Sequence, residues 1–206
     1  MRKRKAALVL SAGAMGLSSA AMGVPTGWQT EEVPVPTVQP ELRLPAAMLG
    51  ASQSLKEAMI QEEGVRTTVY RDVAGYPTVG VGHLITPEDG LAVGQKVSQE
   101  RILEFFDKDI GKAEAAAARL AGATPLFQHE FDALVDLVYN VGEGNVSAKR
   151  SPRLNQAIAD RDYNGIAQEL DYTNAGGATA KGLVYRSERR ANIFMGGQYA
   201  DPRMQA

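Results

Sequence analysis

Apolar residues recur at helical spacing through most of the chain's second half and at strand spacing over one short stretch, and these two patterns divide the molecule. Leu55, Ala58 and Met59, with Glu62, lie at helical spacing around Ser54-Leu55-Lys56-Glu57, which reads as a capping box, and Gly64 ends that helix. After Ser98, a plausible N-cap, Ile102, Leu103, Phe106, Ile110, Ala113, Ala117 and Leu120 keep the helical period, which predicts one long helix ending near Gly122. Thr124-Pro125 predicts the next helix start, with Phe131, Leu134, Val135, Val138 and Tyr139 on its face, and Ser151-Pro152 repeats the signal. Shorter helices are expected over about 152–160, 163–171 and 184–195, the last with a basic, solvated face from Arg186, Arg189 and Arg190.

Between Val69 and Ile85 the period shortens. Residues 69–73 and 78–83 read as strands around a turn at Ala74-Gly75-Tyr76-Pro77, which makes a small antiparallel sheet. Strict alternation places Val79 and Val81 on one face and Thr78, Gly80 and Gly82 on the other, a face of small side chains against which a substrate can lie close to the backbone. The predicted class is α+β: a small N-terminal lobe containing a β-hairpin, a helical C-terminal lobe, and one long helix joining them.

The chain's beginning follows neither pattern. Arg2, Lys3, Arg4 and Lys5 precede an uncharged Ala/Gly/Ser/Met-rich stretch that reaches Gly23, so residues 1–23 read as an export signal or a signal anchor. An ordinary core helix would need charged residues for its wet face, and residues 6–23 hold none. The flanking charge holds the N-terminus in the cytoplasm and places the rest outside. Residues 24–50 contain Pro25, Pro34, Pro36, Pro40 and Pro45 and read as a linker. The globular domain is expected over 51–200, with a tail at 201–206.

Composition narrows the chemistry. With 44% apolar and 22% charged residues, the chain can bury one core and cannot be wholly disordered. The net charge of −2 offers no overall positive field for nucleic acid. The absence of cysteine removes thiolate nucleophiles, disulfides and cysteine-ligated zinc, and two histidines make a histidine-rich metal centre a poor reading. No metal or cofactor is expected.

Glu63, at a helix end, is followed by Asp72 on a strand and by Thr78 at the start of the next strand. Hydrolysis of a glycosidic bond needs a protonated group for the leaving oxygen and a second carboxylate that activates water or stabilises positive charge at the anomeric carbon. Two carboxylates in different environments meet that need, although such pairs are common on surfaces. The helix dipole and partial desolvation favour the proton-donating form of Glu63, whereas an exposed hairpin leaves Asp72 ionised.

The full run over 63–83, E-G-x5-Y-x-D-x2-G-x2-T-x-G-x-G-H, resembles the phage-type lysozymes of glycoside hydrolase family 24, the endolysins. The likeness spans about residues 52–200 and includes the segment from Phe131 to Gly144 and the closing Lys181-Gly182-Leu183-Val184-Tyr185-Arg186. It implies a lysozyme-like fold and a muramidase that cuts peptidoglycan between N-acetylmuramic acid and N-acetylglucosamine. Glu63 would be the general acid, Asp72 the second carboxylate and Thr78 the water-positioning threonine, with inversion at the anomeric carbon. It further implies a structural pair between His83 and Asp109, and sugar contacts from Leu84, Tyr139 and Asn140; helix core for Tyr139 and a helix cap for Asn140 are the plain alternatives. Pro77 before the threonine departs from the commonest family form. A binding module that kept the fold without turnover, and a lytic transglycosylase, remain the competing functions. The expected partners are peptidoglycan glycan strands and, through residues 1–23, the inner membrane. A monomer acting in the periplasm or cell wall follows, either after signal cleavage or by release of the anchor as in signal-anchor-release endolysins.

Overall fold

In a computed structural model that describes residues 42–204, save 171–173, 176–177 and 180, the chain joins the fold earlier than its prolines suggest. Leu44–Pro45 forms a two-residue strand paired antiparallel with Pro125–Leu126, and Ala46 is fully buried. Arg43 places its guanidinium 3.5 Å from the Tyr163 ring centroid and 4.3 Å from that of Phe127, while its fork grips Glu130 at 2.6 and 2.9 Å. Residues 42–50, expected as linker, are therefore a strap docked on the helical lobe. The export or anchor segment at 1–23 and the linker up to residue 41 lie outside the described residues. Among those described, no helix is long and apolar enough to cross a membrane.

The first helix, α1, covers Gln53–Glu63. Its N-cap is Ser52, two residues before the expected Ser54, because a distant partner decides the start. Asp132 accepts from both the Ser52 N–H (3.0 Å) and its hydroxyl (2.5 Å), which holds the hydroxyl where Leu55 N–H can donate to it. Leu55, Ala58 and Met59 face the core, and Gly64, at φ 69°, closes the helix with its N–H on the Ile60 carbonyl.

The sheet has three strands in sequential antiparallel order: β1 (Arg66–Arg71), β2 (Pro77–Gly80) and β3 (His83–Leu84). The expected alternation along 78–83 breaks at Gly80 and Gly82, whose φ angles of 66° and 87° turn the chain back on itself. Val79 consequently packs with Val69, Val97, Ile102 and Phe105 in the small lobe, whereas Val81 joins the main core. The Gly80 face is not open to substrate: it abuts Ile102.

The long helix α2 (Gln99–Ala121) starts at Ser98, whose hydroxyl accepts from Arg101 N–H, and ends at Gly122. Its buried stripe runs through Ile102, Phe106, Ile110, Ala113 and Ala117, while Leu103 turns out to solvent. The next helix, α3, begins at Gln128 and not after Thr124-Pro125. There the Thr124 hydroxyl donates to the Ile158 carbonyl and Pro125–Leu126 pairs with the strap, so long-range partners override the local N1-proline signal. Helix α3 (Gln128–Val141) is buried almost all round, as the centre of a bundle must be. Against it pack α2 and α6 (Lys181–Gly196), while α4 (Pro152–Ala159) lies on α2 and on α5 (Tyr163–Glu169), which in turn meets α6. The tail is also part of the fold, since Asp201 is buried in contact with Arg203.

Candidate active site

Glu63 is the last residue of α1, and helix α6 supplies its partner. Arg186 Nη2 donates to Glu63 Oε1 at 2.5 Å. The two neighbouring arginines are equally committed: Arg189 Nη1 lies 3.3 Å from Glu62 Oε2, and Arg190 Nε donates to Asp136 at 2.7 Å and Nη1 to the Leu170 carbonyl at 3.1 Å. The solvated basic face expected of this helix is thus an interior one, since each of the three guanidiniums meets a carboxylate of α1 or α3. Burial works against the charge on Arg186, but Glu63, Asp136 and Glu62 together raise its pKa above the ordinary arginine value.

Asp72 stands at the turn between β1 and β2. Its Oδ1 accepts from the backbone N–H groups of Ala74 (2.9 Å) and Tyr76 (2.8 Å), and its own N–H donates to the Tyr76 carbonyl. This Asx-type arrangement fixes the carboxylate relative to the hairpin. Oδ2 takes no hydrogen bond from the described residues. Thr78 is the second residue of β2, opposite Tyr70 on one side and Leu84 on the other. It is buried, and its hydroxyl donates to the Tyr76 carbonyl at 3.1 Å, whereas the alternation pattern placed it on an open face.

An open cleft of about 460 Å³ gathers Leu84, His83, Asp109 and Tyr139, with Lys108 and Lys112 on its wall. Leu84 is half exposed there. Tyr139 donates its hydroxyl to the Val81 carbonyl at 2.6 Å, tying α3 to the strand connection. Burial pushes the pKa of this phenol up, and the charges of Asp109 and Glu63 push it further, with Arg186 opposing. Tyr139 therefore stands within the field of both the cleft wall and the Glu63 pair. Asn140, one residue on, is half buried and is not part of the cleft wall. Glu63 lines a smaller recess with Met59, Asp136 and Arg186.

His83 is buried, stacked on Phe105 with ring centroids 4.1 Å apart, and its Nδ1 lies 2.6 Å from Asp109 Oδ2. A second carboxylate, Asp89, lies 3.4 Å from Nε2. Burial acts against its charge, but donation from the Thr86 N–H and hydroxyl and from His83 holds its pKa below the usual carboxylate range. Thr86-Pro87-Glu88-Asp89 carries a capping-box signal that could have located Asp89 in the sequence. The pairings of Arg186, Arg189 and Arg190 had no such local signal.

Comparison with known proteins places the chain in a family. Residues 60–190 match the phage lysozyme family model. An endolysin of Salmonella phage P22 is 29% identical over 136 residues, covering 66% of this chain and 90% of that protein. A SAR-endolysin of Pseudomonas phage phiKMV is 32% identical over 136 residues, covering 66% and 81%. Among solved structures, an endolysin from Escherichia coli O157:H7 phage FAHEc1 aligns with a TM-score of 0.64 at 27% identity, over 74% of this chain and 97% of that one. The chain belongs to the phage lysozyme family. It has the lysozyme-like α+β fold, and it is a glycoside hydrolase whose substrate is peptidoglycan.

Proposed function

We propose that this chain is an exported muramidase that hydrolyses the β-1,4 bond between N-acetylmuramic acid and N-acetylglucosamine, with Glu63 as proton donor and Asp72 and Thr78 serving the attacking water. The observation that carries the reading is Glu63 at the end of α1, gripped at 2.5 Å by the largely buried Arg186. The Arg186 hydrogen bond occupies Oε1 and orients Oε2, the oxygen from which a proton would pass to the leaving group. The leaving glycosidic oxygen takes that proton as the bond to the anomeric carbon breaks, and water adds to the carbon while its own proton passes to Asp72. Two backbone N–H donors hold Asp72 Oδ1 and leave Oδ2 outside the turn bonds, where it can meet the water. Thr78 Oγ1 already donates to a carbonyl, so toward water it acts as acceptor. Leu84 and Tyr139 offer the apolar and aromatic surface on which sugar rings pack, while Asn140, which follows Tyr139 outside the cleft wall, would reach a sugar only at the margin.

Mass spectrometry of the digestion products in H2(18)O tests the reaction. Hydrolysis leaves reducing muramic ends that carry one labelled oxygen; anhydro-muramic ends would mean transglycosylation and would overturn the water roles.

The reading extends to residues 1–23, which hold the enzyme at the inner membrane before it acts as a monomer in the periplasm. Their basic start and uncharged Ala/Gly/Ser-rich body support this, as do relatives named SAR-endolysins. The intact mass of periplasmic protein separates the two routes: an uncut Met1 segment means anchor release, and loss of the leading residues means signal cleavage.

A further inference from the structure

After α6 the chain returns to the end of α1. Asp201 is buried and takes four contacts from Arg203: the backbone N–H at 2.9 Å, Nε at 2.9 Å to each oxygen, and Nη2 at 2.6 Å. That grip orients Arg203 so that Nη2 also reaches Glu62 Oε2 at 3.2 Å. Arg189 meets the same oxygen from α6. Glu62 is therefore shared by two guanidiniums, while Glu63, the next residue, is held by Arg186. The ion pairs form three neighbouring sets: Arg189–Glu62–Arg203–Asp201, Arg186–Glu63 and Arg190–Asp136, with Arg186 also within the field of Glu62 and Asp136.

We propose that Arg203 is a positioning residue for the acid: by occupying Glu62 it leaves Arg186 committed to Glu63. The proposal rests on Glu63 being the proton donor. Arg186 already feels the charge of Glu62 as well as those of Glu63 and Asp136. Without Arg203, Glu62 keeps only the 3.3 Å contact to Arg189, and its uncompensated charge at the rim of a mostly buried cluster draws Arg186 away from its neighbour. Asp201 belongs to the device because its Oδ1 and Oδ2 accept from Nε and Nη2 of Arg203, and two such donors fix a guanidinium more firmly than a point charge does. Arg203 touches no substrate in this account. It acts through Glu62 and Arg186.

Steady-state kinetics of the full chain on purified, size-defined glycan strands, below the melting temperature of every variant used, tests this. Arg203→Ala is expected to lower kcat about tenfold with KM changed less than about twofold, and Arg203→Lys to recover part of the loss. The decisive variant is the double Glu62→Gln/Arg203→Ala. With no charge left on residue 62 to draw Arg186 away, its kcat is expected to match that of Glu62→Gln within about twofold. Wild-type kcat in Arg203→Ala, or losses that multiply in the double variant, would overturn the proposal. If Glu63→Gln proved fully active, the acid assignment itself would fall, an outcome separate from any result at Arg203.

Discussion

Gly80 of the central strand faces Ile102 of the long helix so closely that a Cβ on Gly80 would lie 2.7 Å from Ile102 Cγ2. The contact joins the small lobe to the helix that spans both lobes. Because Gly80 also has φ 66°, Gly80→Ala adds a steric clash to a backbone penalty. The expected cost is about 2–4 kcal/mol of stability, read as a lowered Tm or denaturant midpoint. An unchanged midpoint would mean that the lobes do not meet this tightly.

The strap makes a separate prediction. Arg43→Ala leaves the Glu130 carboxylate, only 4% exposed, without its bidentate partner and removes the guanidinium between two rings. A loss of about 1–3 kcal/mol is expected, discounted because Arg43 itself is one-third exposed. Removing residues 1–50 should lower the Tm more than Arg43→Ala does, measured against a chain that starts at residue 42. Thermal melts of the three chains decide this.

Acid should loosen the tail. The Arg203 hydrogen bonds, with help from the charges of Arg203 and Arg189, hold the Asp201 carboxyl down to about 2. A carboxyl depressed in the folded state stabilises the fold above its unfolded pKa of about 3.9, and that contribution disappears as the pH falls toward the folded value. Stability should therefore drop between about pH 4 and pH 2 in the wild type, with a smaller drop over that window in Asp201→Asn. Identical pH–stability curves would contradict the assignment.

Asp72 separates folding from chemistry. An amide oxygen at this position still accepts from Ala74 and Tyr76, so Asp72→Asn should keep the hairpin and the Tm while kcat falls by about 100-fold or more. Asp72→Ala should lose both activity and about 1 kcal/mol of stability, because two turn N–H groups lose their acceptor. Equal activity in Asp72→Asn and wild type would remove Asp72 from the reaction.

The parts of the fold legible in the sequence are those decided locally. Helix α2 announces itself because its own residues carry the period, the cap and the closing glycine. Thr124-Pro125 misleads because its true partner, Leu44–Pro45, lies far back in the chain, and Ser54 is passed over because Asp132 captures Ser52. The alternation along the second strand is broken by two glycines with positive φ, which a period-two pattern cannot register. At the site, Glu63, Asp72 and Thr78 could be singled out because they fall within one short motif. Arg186, which arrives 123 residues after Glu63, and Arg203, which reaches Glu62 from the tail, have no signature at short range.

Lysis of outer-membrane-permeabilised cells, followed as turbidity loss with wild type and Glu63→Gln at equal folded concentration, measures what the Glu63 proton contributes. The variant should melt cooperatively and lyse cells at least about 100-fold more slowly, since glutamine accepts the Arg186 hydrogen bond but has no acidic proton to give. Equal rates for the two proteins would contradict Glu63 as the proton donor.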